Sequence, residues 1–99
     1  MKLDATVYKL LARIPEGKVT TYGELAKALG RPRAARMIGQ ILKRNPNPII
    51  VPCHRVVRSN GDIGGYAYGS HAKKRLLEKE DLKISKGRVV DFEEAKYQF

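Results

Sequence analysis

Three of the chain's five prolines fall between Asn45 and Cys53, and this cluster limits the fold more than any other feature. Each proline in Asn45-Pro46-Asn47-Pro48 holds the residue before it in extended geometry, so no helix can run through the segment. The 99 residues are thereby divided into a front part with helical periodicity and a back part of short apolar runs, turns and one further helix. A chain of this length buries about 60–70% of its unfolded surface in one core. It is expected to form a single domain over residues 1–99, since no repeat, low-complexity tract or linker interrupts it.

Ahead of the prolines, Leu3, Val7, Leu10, Leu11 and Ile14 recur at the spacing of one helix face. Pro15-Glu16-Gly17 breaks that helix. A second starts at Thr21-Tyr22-Gly23-Glu24, a capping box in which the Thr hydroxyl and the Glu carboxylate satisfy opposite orphan amides. Its inward stripe is Leu25, Ala26 and Leu29, and Gly30 stands where a left-handed C-cap belongs. After Gly30-Arg31-Pro32, a third helix is predicted from about Arg33 to Arg44, with Ala34, Met37, Ile38, Ile41 and Leu42 inward. Its other face carries Arg33, Arg36, Gln40, Lys43 and Arg44, and Gly39 leaves a bare notch. Two short helices joined by a tight turn, the second with a basic face, read as a helix-turn-helix. An ordinary αα-hairpin with a solvated basic side fits the same pattern.

Behind the prolines, Ile49-Ile50-Val51 is a short apolar run suited to burial. Val56-Val57 and Ile63 flank Ser59-Asn60-Gly61, a turn that predicts a small hairpin. Gly64, Gly65 and Gly69 predict a loop. A last helix begins near Ser70, with Ala72, Leu76 and Leu77 inward. Lys86-Gly87-Arg88 reads as a turn, and Phe92, Tyr97 and Phe99 are expected to pack back. The expected fold is therefore mainly α, a winged helix-turn-helix-like DNA-binding domain with a small β-hairpin beside the turn that carries Cys53.

Lys+Arg number 20 against 10 Asp+Glu, a formal charge of +10. Such an excess favours a polyanionic partner, with nucleic acid foremost; a basic, highly soluble surface without a partner is the alternative. No apolar run approaches the roughly 20 residues that span a bilayer, so no membrane association is expected. Met1-Lys2-Leu3-Asp4 places an acid too early for a secretory signal. One cysteine and two histidines complete neither an intrachain disulfide nor a Cys-rich zinc site. No metal is expected, and the single free thiol points to a reducing compartment, cytoplasmic (nucleoid-associated) or nuclear.

That cysteine stands beside a histidine in Val51-Pro52-Cys53-His54-Arg55-Val56. A thiol becomes a strong nucleophile only as thiolate, so it needs a proton acceptor or nearby positive charge. A buried structural cysteine is the plainer reading of Cys53 alone. Glu80 weighs against it. Lying i+4 from Leu76 and i+3 from Leu77, it continues an apolar helix face, where a carboxylate is expensive unless it is paired. An imidazole partner would satisfy it and fix that ring's tautomer, as in a Ser-His-Asp triad. Cys53, His54 and Glu80 thus form a candidate relay, with fraying of the helix near Glu80 as the competing account.

The run Asn45-Pro46-Asn47-Pro48-Ile49-Ile50-Val51-Pro52-Cys53-His54-Arg55-Val56, with Ala34-Ala35-Arg36 before it and Gly65-Tyr66 after it, resembles the O6-alkylguanine-DNA alkyltransferases. The likeness covers about residues 14–80. It implies a protein that binds double-stranded DNA containing O6-alkylguanine, flips the damaged base, and moves the alkyl group irreversibly onto its own cysteine without a cofactor. By this resemblance Cys53 is the nucleophile, His54 takes its proton through a water, and Glu80 orients and polarises His54. Asn45 ties the recognition helix to the active-site turn. Tyr22 presses on the target phosphate and donates to the base, and Arg36 fills the place of the flipped nucleotide. Tyr66 and the backbone at Ala67 line the pocket, while the main chain at Cys53 and Val56 accepts from the exocyclic amine.

The resemblance also puts the recognition helix in the minor groove. Small Ala34, Ala35 and Gly39 would let its backbone approach there. Gly23, Arg31, Arg33, Lys43 and Ser59 complete the expected DNA contacts, and a monomer is expected. The family usually carries an additional N-terminal domain, so 1–99 is expected to be the catalytic domain without it. Two positions depart from the usual pattern: Tyr68, glycine or a large aromatic among relatives, and polar Asn47. Two rival readings are a non-enzymatic lesion sensor, which shares the scaffold but replaces the cysteine, and a helix-turn-helix regulator, which has no use for Cys53, His54 and Glu80 together.

Overall fold

The structure is a computed structural model and describes residues 2–99. Its order is α1 (Lys2–Leu11), β1 (Thr20–Thr21), α2 (Tyr22–Ala28), α3 (Ala35–Lys43), a 3₁₀ turn at Cys53–Arg55, β2 (Val56–Val57), α4 (Ser70–Lys79), β3 (Ile84–Ser85), β4 (Arg88–Val89) and α5 (Phe92–Ala95). The mainly α expectation holds. Among the described residues no helix is long and apolar enough to cross a membrane.

α1 stops at Leu11, one turn short of its apolar pattern, yet Ile14 is still buried beside Val7 and Leu11. Half of the expected capping box forms at α2, where the Glu24 amide donates to Thr21 Oγ1 at 3.0 Å. The Glu24 carboxylate turns to Lys27 Nζ instead, 3.7 Å away. Gly30 takes a φ of 79°, and two bonds close the helix end, Gly30 N to Lys27 O and Arg31 N to Ala26 O. This pairing is the Schellman motif, and the left-handed residue in it favours glycine. α3 buries Ile38, Ile41 and Leu42 and starts two residues later than its pattern predicts.

Two cores result. The first joins α1, α2 and α3 with Cys53 and Val56; the second gathers Val19, Val57, Leu77, Leu82 and Val89. Val56 and Val57 are adjacent in one strand, so their side chains point to opposite faces and one residue enters each core. The predicted hairpin is corrected here. Val56-Val57 pairs in parallel with Thr20-Thr21, and the antiparallel hairpin lies in the tail, Ile84-Ser85 with Arg88-Val89 across the Lys86-Gly87 turn. The turn at Ser59-Asn60-Gly61 does form, closed by Gly61 N to Arg58 O. Ile63 donates instead to Gly87 O at 2.9 Å, in the turn of the tail hairpin.

The tail packs back as expected. Tyr97 and Phe99 lie on the first core and Phe92 on the second. Val19 exchanges backbone bonds with Ala95 and Tyr97, which adds the C-terminal segment beside β1.

Candidate active site and nucleic-acid interface

The proline-rich segment leaves α3 through a turn built on Asn45. Its Nδ2 donates to Val51 O at 2.8 Å, and its Oδ1 accepts from the Asn47 amide at 3.0 Å. Ile49 is held there at a φ of 75°, a costly region for a β-branched residue. The 3₁₀ turn that follows sets Cys53 at a cleft and sends the next two side chains inward. His54 is fully buried and Arg55 is buried as well.

Glu80, the C-cap of α4, receives them both. Its Oε2 lies 2.8 Å from His54 Nε2, while Arg55 donates from Nε at 2.9 Å and from Nη2 at 2.7 Å. The third arm of Arg55 reaches Ile14 O at 2.7 Å, tying the turn to the end of α1. Burial pushes the Glu80 carboxyl up, but the hydrogen bonds from Arg55 and His54 outweigh it and hold the group below its usual value. For His54 burial wins over the lift from Glu80, so the ring titrates below its ordinary value and is neutral at pH 7.

An ionised carboxylate can only accept, so Glu80 fixes the proton of the neutral ring on Nε2. Nδ1 is then the acceptor. It is buried and has no hydrogen-bond partner among the described residues. A buried base without a proton therefore stands next in sequence to a thiol at the edge of a cleft.

That cleft has a volume of about 940 Å³ and brings together Tyr22, Cys53, Tyr66 and Ala67 with the α3 residues Ala35, Arg36, Gly39 and Lys43. Gly39 forms the expected notch, since a Cβ there would lie 3.9 Å from the Tyr22 ring. Burial pushes the Tyr22 and Tyr66 hydroxyls up, so both are protonated donors at neutral pH. Gly23 follows Tyr22 in the first turn of α2. Arg31, Arg33 and Ala34 line a separate shallow depression before α3, and Ser59 is exposed on its turn.

One expectation fails: Ile49 and Ile50, read as suited to burial, are 56% and 81% exposed. The Val56 side chain is fully buried, and its carbonyl accepts from Lys73 Nζ at 2.6 Å, which leaves the second lone pair of that oxygen open. Arg44 is not free on the basic face, because Nε and Nη2 clasp the Asp4 carboxylate at 3.1 and 3.0 Å.

Three residues escaped sequence reasoning. Arg55 and Arg58 carry no periodic signal; Arg58 lines the cleft and Arg55 holds Glu80. Lys73 was hidden by its type, because lysine is almost never fully buried. It is 1% exposed and donates to Val56 O and Gly65 O, joining the strand after the active-site turn to the loop before Tyr66. The inner face of α4 is therefore Lys73, Leu77 and Glu80, with Ala72 and Leu76 at its flank.

Burial lowers the Lys73 ammonium to about 8, against an ordinary 10.5. A base depressed by folding binds fewer protons in the native state between those values, so stability rises with pH across that window. Relative to Lys73→Met, the wild type is expected to gain about 2.5 kcal/mol between pH 7 and 10. Denaturant titrations of both proteins at the two pH values measure this; a constant difference would contradict it.

The chain matches the family model described as 6-O-methylguanine DNA methyltransferase, DNA binding domain, over residues 2–82. A methylated-DNA–protein-cysteine methyltransferase of Methanosarcina acetivorans is 49% identical over 75 residues, which is 76% of this chain and 48% of that one. A crystal structure of Mycobacterium tuberculosis OGT in complex with DNA superposes with a TM-score of 0.80 at 43% identity, covering 82% of this chain and 49% of the other. Schizosaccharomyces pombe Atl1, in complex with damaged DNA containing O6-carboxymethylguanine, superposes with a TM-score of 0.85 at 35% identity, over 100% of this chain and 98% of its own. The chain spans between 28% and 48% of the length of the first curated relatives it matches.

Proposed function

Since this chain belongs to the 6-O-methylguanine DNA methyltransferase family, we propose that it repairs O6-alkylguanine in duplex DNA by moving the alkyl group to Cys53 in a single, irreversible turnover. The observation that carries this reading is the bare, buried Nδ1 of a neutral His54 whose other nitrogen is held by Glu80. A lesion sensor has no need of a poised base beside a thiol. His54 takes the Cys53 proton through a water, and the thiolate attacks the alkyl carbon on guanine O6. The S–C bond forms as the C–O bond breaks, and its electron pair leaves with the guanine. Tyr22 donates a hydrogen bond to the departing base, and a proton finally replaces the alkyl group on it.

Intact mass after incubation with methylated duplex tests the proposal. The expected gain is one methyl in place of the thiol hydrogen, on the peptide that contains Cys53. An unmodified protein that still binds the duplex returns the chain to the sensor reading.

Arg36, exposed at the start of α3 and lining the cleft, replaces the flipped nucleotide in the stack. A guanidinium plane can both stack and hydrogen-bond there. Flipping costs a few kcal/mol. Arg36→Ala is therefore expected to slow repair of duplex DNA by roughly tenfold to several hundredfold and to spare reaction with the free modified base. Equal losses on both substrates would make Arg36 structural.

Affinity rests on phosphates. Arg31, Arg33 and Lys43 are exposed and available, whereas Arg44 is spent on Asp4. Three such contacts alone give a slope of log affinity against log salt of about −2.7, and further contacts steepen it. A flat dependence in a fluorescence titration would overturn the DNA reading.

A further inference from the structure

We infer a second phosphate-binding face, formed by the start of α4 and the β3–β4 hairpin and joined to the cleft through Arg58, that grips the backbone of the same duplex beside the lesion. The inference rests on the DNA reading above and adds a surface to it. A groove of about 480 Å³ is lined by Arg58, His71, Lys74 and Lys86. All four are exposed, and among the described residues none has a carboxylate within ion-pair distance. The one carboxylate lining the groove, Asp62, is already taken by Arg88 Nε at 3.3 Å and Asn60 Nδ2 at 3.2 Å.

Arg58 makes the groove continuous with the cleft, since it lines both. Its side chain lies along Gly64, where a Cβ would come within 3.3 Å of Nε. The missing side chain at Gly64 thus beds the guanidinium between the two depressions. A cationic track runs from Lys43 and Arg36 on α3, past Cys53, to Arg58, Lys74 and Lys86. A row of unpaired cations leading out of the cleft fits a phosphodiester strand, whose bound counterions such a row displaces. Lys86 lies in the turn of the tail hairpin, past residue 82, where the family match ends.

The test is a salt titration of binding to a duplex long enough to reach past the cleft. Lys74→Gln/Lys86→Gln should flatten the slope by about 1.8, since each lost phosphate contact contributes about 0.9. Its reaction with free O6-alkylguanine should stay at the wild-type rate, which also shows that the fold is intact. Lys74→Arg/Lys86→Arg should restore the slope. Lys9→Gln/Lys79→Gln, with the same net charge, should leave it unchanged. A wild-type slope in the Lys74→Gln/Lys86→Gln protein, or equal flattening in the Lys9/Lys79 control, overturns the inference. A wild-type protein with no salt-dependent binding overturns the DNA reading instead.

Discussion

Cys53→Ala is expected to transfer no alkyl group and to bind duplex DNA almost as the wild type does. The proposed transfer needs a thiolate, and Cys53 is the chain's one cysteine. Affinity comes mostly from phosphates, and the residues available to meet them lie on α3, on the turn before it and along the groove beyond the cleft. Cys53 is 7% exposed and packs with the first core, so its loss removes some buried contact, about 1 kcal/mol. Circular dichroism separates this modest destabilisation from unfolding. Quantified transfer of a labelled methyl group and a parallel binding curve complete the measurement. A folded Cys53→Ala protein that no longer binds would place the thiol in the DNA interface; residual transfer would place the nucleophile elsewhere.

The second large effect is expected at Glu80. Glu80→Gln keeps the shape but leaves one acceptor oxygen for three donors, His54 Nε2 and two arms of Arg55. The permanently charged guanidinium takes that oxygen, and the amide NH₂ then faces His54. The imidazole must shift its proton to Nδ1, where it can no longer accept from the thiol. Transfer at neutral pH should fall by roughly 10³-fold or more, as when a triad's acid becomes an amide. It should recover partly at high pH, where hydroxide replaces His54 as the proton acceptor. An unchanged profile of rate against pH would remove Glu80 from the reaction.

The same change weakens the fold, because Arg55 is left buried without its anion, at a loss of about 3 kcal/mol. The sign against pH follows from the lowered Glu80 value. Its contribution is present above the unfolded carboxyl's value and disappears as the pH falls through the folded one. Denaturant midpoints should therefore drop on acidification more steeply in the wild type than in Glu80→Gln.

Local rules carried the helices and their ends. The 3.6-residue apolar spacing located α1, α2 and α3, Thr21 and Gly30 marked the two ends of α2, and the prolines closed α3. Glu80 was legible for a different reason. A carboxylate on an apolar helix face demands a partner, and His54 was the nearest chemistry that could use one. Arg55 and Lys73 were not legible, since each is satisfied by groups distant in the chain, Arg55 by Glu80 and Ile14 O and Lys73 by Val56 O and Gly65 O.

Residue type and spacing alone therefore located α1 to α4, the basic face of α3, and the candidate trio Cys53, His54 and Glu80, because each depends on neighbours within a turn or on a single costly burial; α5, in a tail of weak signals, was not among them. Only the tertiary structure decided strand pairing, since the partner of Val56-Val57, Thr20-Thr21, lies more than thirty residues away in the chain. It also decided which cations remain free. Arg44 found Asp4 and Arg55 found Glu80 across the fold, while Arg58, Lys74 and Lys86 found no carboxylate. The charge of a side chain is written in the sequence, but its partner is chosen by the packing that brings distant segments within about 3 Å.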